Sequence, residues 1–199
     1  NPVRTGYNAV ADDWLGLTPG ADGLLALSLV HCLLEAGRID LPFLARFTNA
    51  PCLVNEDPAS PQAGLLLKDA EGRALVVDRR TGRPAPWDGE GVEPDLAATL
   101  RLRGVTHRPV MHHIAERYLT PAFAPEAVAE RTGIPAPRIR ALAAEIAEAA
   151  FGGEPVVLDR PWTDFRGLRH ATMPGRPVAM HAMRGVSAHS NGFQTARAI

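Results

Sequence analysis

The stretch IPAPRIRALAAEIAEAA at residues 134–150, with FGGEPVVL at 151–158 behind it, decides the fold class. Ile139, Leu142, Ala143, Ile146 and Ala150 recur at the spacing of one helix face, while Arg138, Arg140, Glu145 and Glu148 fall away from it. This is an amphipathic helix with one side to bury. Gly152-Gly153 ends it, and Pro155-Val156-Val157-Leu158 reads as a short buried strand. Pro177-Val178-Ala179-Met180-His181-Ala182-Met183 reads as a second strand, and a loop from Arg184 to Gly192 leads into a terminal helix. Helix, strand, excursion, strand, loop and helix in this order predict an α/β architecture, a parallel sheet flanked by helices.

Working towards the N-terminus, Pro125–Thr132 reads as a short helix stopped by Gly133, and residues 107–118 as another with Pro109 near its start. Leu65-Leu66-Leu67-Lys68 and Ala74-Leu75-Val76-Val77-Asp78 flank the Gly-containing turn Asp69-Ala70-Glu71-Gly72-Arg73, which is a hairpin pattern. Residues 81–94 are rich in Gly and Pro, and 55–104 as a whole reads as a surface excursion decorating the core, not as a separate domain. Asp40 is placed to cap a short helix through Phe47, ended by Thr48-Asn49-Ala50-Pro51. Residues 23–36 are apolar nearly all round, which predicts a helix buried on several sides, with Asp22 at its N-cap and Gly37 as its left-handed stop. Residues 1–18 read as irregular.

The 199 residues suffice for one sizeable core or two small ones. Hydrophobic residues make up 46% and charged residues 22%, ordinary for a globular chain. A formal net charge of -1 leaves no basic excess to neutralise phosphates, which argues against a nucleic-acid partner. The longest apolar run, 24–34, is interrupted by Ser28 and His31 and is too short to span a bilayer. Cys32 and Cys52 lie inside apolar segments, so free buried thiols are expected rather than a disulfide framework. Asn1 stands where a Met would begin a chain, and a helical pattern still runs through 194–199. We expect an internal fragment of a longer protein.

Two turns carry the candidate chemistry. Seven histidines raise a metal question, but His112-His113-Ile114-Ala115-Glu116 lacks the one-turn spacing of a zinc site, and adjacent helical histidines point about 100° apart. The loop Arg184-Gly185-Val186-Ser187-Ala188-His189-Ser190-Asn191-Gly192 lies between a strand and a helix start, where open α/β sheets bind ligands. Its glycines let backbone approach a ligand and the following helix N-terminus suits a diphosphate. An ordinary strand–helix connection capped by Ser190 or Asn191 is the alternative. Pro19-Gly20-Ala21-Asp22 carries the same pair of readings: Asp22 caps its own helix, or accepts from the two N–H donors on a guanine edge.

The ordered set Asn1-Pro2-Val3-Arg4-Thr5, Ala11-Asp12-Asp13-Trp14, Pro19-Gly20-Ala21-Asp22-Gly23-Leu24-Leu25-Ala26-Leu27 and Arg46-Phe47-Thr48-Asn49-Ala50-Pro51-Cys52-Leu53-Val54 resembles a segment of the bis-pterin-guanine-dinucleotide oxidoreductases, the dimethyl sulfoxide reductase superfamily. Thr132-Gly133-Ile134-Pro135-Ala136 with Ile139 and Leu142-Ala143, and Met183-Arg184-Gly185 with His189-Ser190-Asn191-Gly192, continue the likeness across nearly the whole chain. The resemblance implies a Rossmann-like fold within a larger multi-domain catalytic subunit, of which residues 1–199 are an internal piece. It implies that Asn1, Arg4, Thr5, Gly20 and Asp22 lie near a guanosine end of the cofactor, with Asp22 on the base. It places Arg184, Gly185, His189, Asn191 and Gly192 towards the pterin. It further implies molybdenum or tungsten held by two such pterins, a metal ligand and a 4Fe-4S cluster outside this chain, an iron–sulfur electron-transfer subunit, and in some relatives a membrane anchor subunit. The fragment alone is then expected to be inactive. Residues 55–104 and Trp162-Thr163-Asp164-Phe165-Arg166-Gly167 look most like the branch handling small sulfur compounds. A formate dehydrogenase fragment, or a non-catalytic nucleotide-binding or interaction domain, are the alternatives.

Overall fold

The computed structural model describes residues 3–4, 6–164, 167–181 and 192–193. In chain order the elements are α1 (Asp22–Glu35), α2 (Leu41–Phe47), β1 (Leu75–Val77), β2 (Pro84–Pro86), β3 (Leu100–Leu102), β4 (Val105–His107), α3 (Val110–Tyr118), α4 (Pro125–Thr132), α5 (Ala136–Phe151), β5 (Val156–Leu158), β6 (Trp162–Thr163), β7 (Arg169–His170) and β8 (Met173–Gly175). They fall into two compact units, one made of Asn1–Arg38 with Tyr118–Ile199 and one of Ile39–Arg117. No helix among the described residues is long and apolar enough to cross a membrane.

In the first unit α1, α4 and α5 close over Leu17, Leu29, Cys32, Val128, Ile134, Ile139 and Ala143. The stripe expected on α5 is the one that is buried, with Ile139 and Val128 fully enclosed. Gly133 ends α4 at φ +73, where a left-handed residue closes a helix, and Thr132 bonds its hydroxyl back to the Val128 carbonyl at 3.0 Å. At the solvent rim Arg140 of α5 donates to Glu126 of α4 at 3.0 and 2.8 Å and to Glu35 of α1 at 3.4 Å. Gly37 stops α1 at φ +62, as expected. The burial of α1 is narrower than its composition predicts: Ser28, Leu29, His31 and Cys32 are buried, while Ala26 and Val30 are exposed. Helices cover one side of it, and composition on the opposite face does not create a neighbour there.

No parallel sheet is found among the described residues. Every sheet among the described residues has two strands and runs antiparallel: β1 with β2, β3 with β4, β5 with β8, β6 with β7. The connection from β5 to β8 reverses the chain through the small β6–β7 hairpin, and no crossover helix intervenes to make the strands parallel. The buried strand expected at 155–158 is instead exposed, at 46, 58 and 51% for Val156, Val157 and Leu158. Residues 177–181 form no strand, and 182–183 lie outside the described residues. The α/β reading survives in its coarser form, a mixture of helices and strands with no closed barrel among the described residues.

The second unit has its own small core, Cys52, Ala74 and Val76 packed by Leu66, Trp87 and Val92. The predicted hairpin is present: Lys68 bridges Ala74, and the Asp69 carboxylate accepts from the Glu71 and Arg73 amides inside the turn. Asp40 caps α2 by accepting from the Phe43 amide at 3.1 Å. Besides the β1–β2 pair, the hairpin β3–β4 was not expected. Its loop is Arg103-Gly104, with φ +49 and +84, the pair of positive angles that matches strand twist in a two-residue turn. His107, expected to open a helix, is the last residue of β4, and Pro109 precedes α3.

Both cysteines are free and buried. Burial pushes the Cys52 thiol up to about 11, and burial also raises that of Cys32.

Arg108 anchors α3 in this unit. It donates through Nε and Nη2 to both oxygens of Glu56, at 3.1, 3.0 and 2.6 Å. The guanidinium holds the Glu56 carboxyl below the usual carboxylate range. A depressed folded-state value gives stability that is present above the unfolded value of 4.5 and lost as pH falls through the folded one. Arg108→Ala is therefore expected to loosen residues 39–117 by about 1–3 kcal/mol at neutral pH, between the worth of an exposed and a buried pair. Amide hydrogen exchange reads this directly, and the difference from wild type should shrink below about pH 4. A penalty independent of pH would assign the loss to packing of the side-chain stem.

Candidate functional site

The chain ahead of α1 is held to the α4–α5 corner. Thr18 donates its amide to the Thr132 carbonyl at 2.9 Å, and a Cβ on Gly133 would meet the Thr18 hydroxyl at 3.0 Å. Thr18-Pro19-Gly20-Ala21 then makes a tight turn closed by Ala21 N–H to the Thr18 carbonyl at 3.0 Å. Pro19 sets φ at the second position and Gly20, at φ +81, fills the third, which is the type II arrangement. Nothing lies within 4 Å of a Cβ built on Gly20, so the backbone angle alone demands glycine. Gly20→Ala should cost about 1–2 kcal/mol of turn stability, read as faster hydrogen exchange in the first turn of α1.

Asp22 does not cap α1. Ala21 occupies the N-cap and makes no side-chain bond, and Asp22 is the first helical residue. The turn ends one residue earlier than expected because the Ala21 carbonyl already accepts from Leu25 at 3.0 Å. The Asp22 carboxylate is half-buried and makes no hydrogen bond or ion pair among the described residues. The helix N-terminus favours a negative charge there. Two carboxylate oxygens held by a fixed turn can also accept from a pair of parallel donors.

Trp14, to which the sequence assigns no role, lies just before this turn. Arg138 of α5 binds the Asp13 carboxylate through Nε at 2.9 Å and through Nη2, and Asp13 accepts from the Trp14 amide at 2.7 Å. This pairing also holds the Asp13 carboxyl below its usual range. The Arg4 guanidinium sits 4.9 Å over the Trp14 ring. A Cβ on Gly16 would come within 2.8 Å of that ring, so glycine there leaves room for it. The indole nitrogen of Trp14 is buried with no hydrogen-bond partner. No spacing rule pairs residues 4 and 14, and only the fold shows the stack.

Of the expected site residues, Arg4, Gly20, Asp22 and Gly192 are described; Asn1, Thr5, Arg184, Gly185, His189 and Asn191 lie outside the described residues. Gly192 is buried and, with Phe193, helical. Trp162–Asp164 belongs to the β6–β7 hairpin. Asp164 accepts from the Leu168 amide at 3.0 Å and lies 2.9 Å from His170 Nε2, and the His170 ring stacks on Trp162 at 4.7 Å. No group of three or more His, Cys, Asp or Glu among the described residues is arranged to hold a metal ion.

No family profile matches the chain. Individual proteins do. A sulfite dehydrogenase subunit of Allochromatium vinosum is 40% identical over 100% of the chain, which spans 21% of that protein. A putative dimethyl sulfoxide reductase catalytic subunit of Halobacterium salinarum is 32% identical over 77% of the chain and 18% of its own length. The alpha chain of dimethylsulfide dehydrogenase of Rhodovulum sulfidophilum is 29% identical over 70% of the chain and 16% of its own length. The chain thus spans about a fifth of the length of the curated relatives it matches. With its ordered turns and these three matches, the chain belongs with the molybdopterin oxidoreductases of the dimethyl sulfoxide reductase superfamily, of which it matches a segment.

Proposed function

We propose that the chain supplies part of the cofactor-holding fold of a molybdenum oxidoreductase catalytic subunit that transfers electrons to or from a small sulfur compound. The observation that carries this reading is the Thr18–Ala21 turn delivering an unpartnered carboxylate, Asp22, at the head of α1. The donor set fits a guanine dinucleotide. Asp22 matches the paired donors of the base, Arg4 is an exposed cation suited to phosphate, and the Trp14 indole nitrogen is an orphaned buried donor. When bound, the molybdenum–pterin group supplies the redox chemistry, and the protein contributes binding and orientation. Asp22 would accept from the base while the Thr18–Ala21 turn, tied to Thr132, keeps the carboxylate in one pose. Gly185, His189, Asn191 and Gly192 would form the pterin-facing loop, with Arg184 helping to attract an anion; Asn1 and Thr5 would lie with Arg4 near the guanosine.

The sulfur-compound assignment draws on the relatives, whose names specify sulfite, dimethyl sulfoxide and dimethylsulfide. In the same reading, the intact enzyme joins an iron–sulfur electron-transfer subunit and, in a membrane-bound form, an anchor subunit, carries a 4Fe-4S cluster beyond this segment, and includes a Rossmann-like fold. The sulfite and dimethylsulfide dehydrogenases are each named as one lettered chain of a larger assembly, which agrees with a multi-subunit enzyme. Metal analysis of the purified full-length protein, acid release of GMP, and dye reduction with sulfite, dimethylsulfide and formate test the proposal. Molybdenum, GMP and a response to a sulfur compound are expected. A response to formate alone would move the protein to another branch, and absence of GMP would overturn the guanine assignment.

A further inference from the structure

The site reading gives Arg4 and Asp22 their roles and uses Trp14 only for its orphaned indole nitrogen, yet the Trp14 ring also meets Arg4 and crowds Gly16. Its ring carries the Arg4 guanidinium at 4.9 Å, and its other constraint is Gly16, where any Cβ would come within 2.8 Å of the ring. Its amide is bound to Asp13, and Asp13 to Arg138 on α5. A stem that long and flexible, on an exposed arginine near the start of the chain, has no other partner among the described residues to hold it. A free guanidinium loses considerable rotamer entropy when it engages a ligand. Stacked on an aromatic face, it has already lost part of that freedom.

We infer that Trp14 is a positioning residue for the cofactor: its indole ring, carried on a backbone tied to α5 through Asp13 and Arg138, pre-sets Arg4 to take an oxygen of the guanine dinucleotide. The inference rests on the proposal that Arg4 and Asp22 serve a guanine dinucleotide. It adds an electrostatic reason for a large ring at position 14, where packing against Gly16 would be met by any flat apolar side chain.

The test is a double-mutant cycle in the full-length protein, read as the rate at which GMP-yielding cofactor is lost during prolonged gel filtration. Thermal unfolding of the cofactor-free protein is measured alongside. Arg4→Gln and Trp14→Leu are each expected to speed loss about fivefold, the equivalent of about 1 kcal/mol for a cation over a ring. The double variant should be no faster than either single one, and Trp14→Phe, which keeps an aromatic face, should retain most of the cofactor. Losses that multiply in the double variant would overturn the inference. So would a Trp14→Leu protein that unfolds at lower temperature but holds its cofactor as wild type does. If Arg4→Gln changes nothing while Asp22→Ala releases GMP, the role of Trp14 falls and the guanine site stands. If neither variant changes GMP retention, the site reading itself falls.

Discussion

Ile139→Ala should destabilise the α1–α4–α5 unit by about 2–5 kcal/mol, the range for deleting most of a large aliphatic side chain from a tight core. Ile139 has no exposed surface and lies among Leu17, Leu29, Val128, Ile134 and Ala143. The neighbours that would have to collapse into the vacated space are constrained. Ala143 is too small to fill it, and Ile134 is fixed behind Gly133 at the α4–α5 corner. A domain is typically stable by only about 5–15 kcal/mol, so this one change removes a large share. Denaturant unfolding monitored by hydrogen exchange on α1 and α5 measures it, with Ile139→Val, expected to cost about 0.5–1.5 kcal/mol, as the graded control. A loss below about 0.5 kcal/mol for the alanine variant would mean that residue 139 is not enclosed as described.

Asp22→Ala should leave that core untouched and strip the cofactor. Its carboxylate caps nothing, since Ala21 holds the N-cap position and makes no side-chain bond. The cost to α1 is then limited to the favourable interaction of one negative charge with the helix start, about 0.3–1 kcal/mol. Against this, losing a charged acceptor from a pair of base donors costs about 1.5–3 kcal/mol per bond. A guanine left with unmatched donors should therefore be held roughly ten- to a thousandfold less tightly, read as GMP recovered per polypeptide from full-length protein. Asp22→Asn should behave nearly as badly, because an amide offers one acceptor oxygen and places a donor against a donor. Wild-type GMP content in both variants would reduce Asp22 to a helix-dipole residue.

The helices could be read from the chain because their signals are local. The α5 stripe, the Gly37 and Gly133 stops and the Asp40 cap each depend on a few neighbouring residues, and each is present. The Asp69–Arg73 turn was legible for the same reason. Strand partners were not. Val156–Leu158 is apolar enough for a buried strand, but apolarity does not say which segment pairs with it or whether anything covers it. Arg103-Gly104 carries a hairpin signal in its glycine, yet Thr106 and His107 blur into the following helix pattern. At the site, the turn before Asp22 was visible in Pro19-Gly20, while the cap position was off by one. The Arg4–Trp14 stack was beyond reach, since contacts ten positions apart outside regular structure follow no periodicity.

The two cysteines have a practical use. Each unit contains one, Cys32 in the first and Cys52 in the second, and both are enclosed with thiols that burial keeps protonated. Because the thiolate is the reactive form, a brief pulse of alkylating reagent labels each only when its surroundings open. Peptide masses from digested protein would then give two built-in clocks, timing the opening of each half of the polypeptide without any engineered probe.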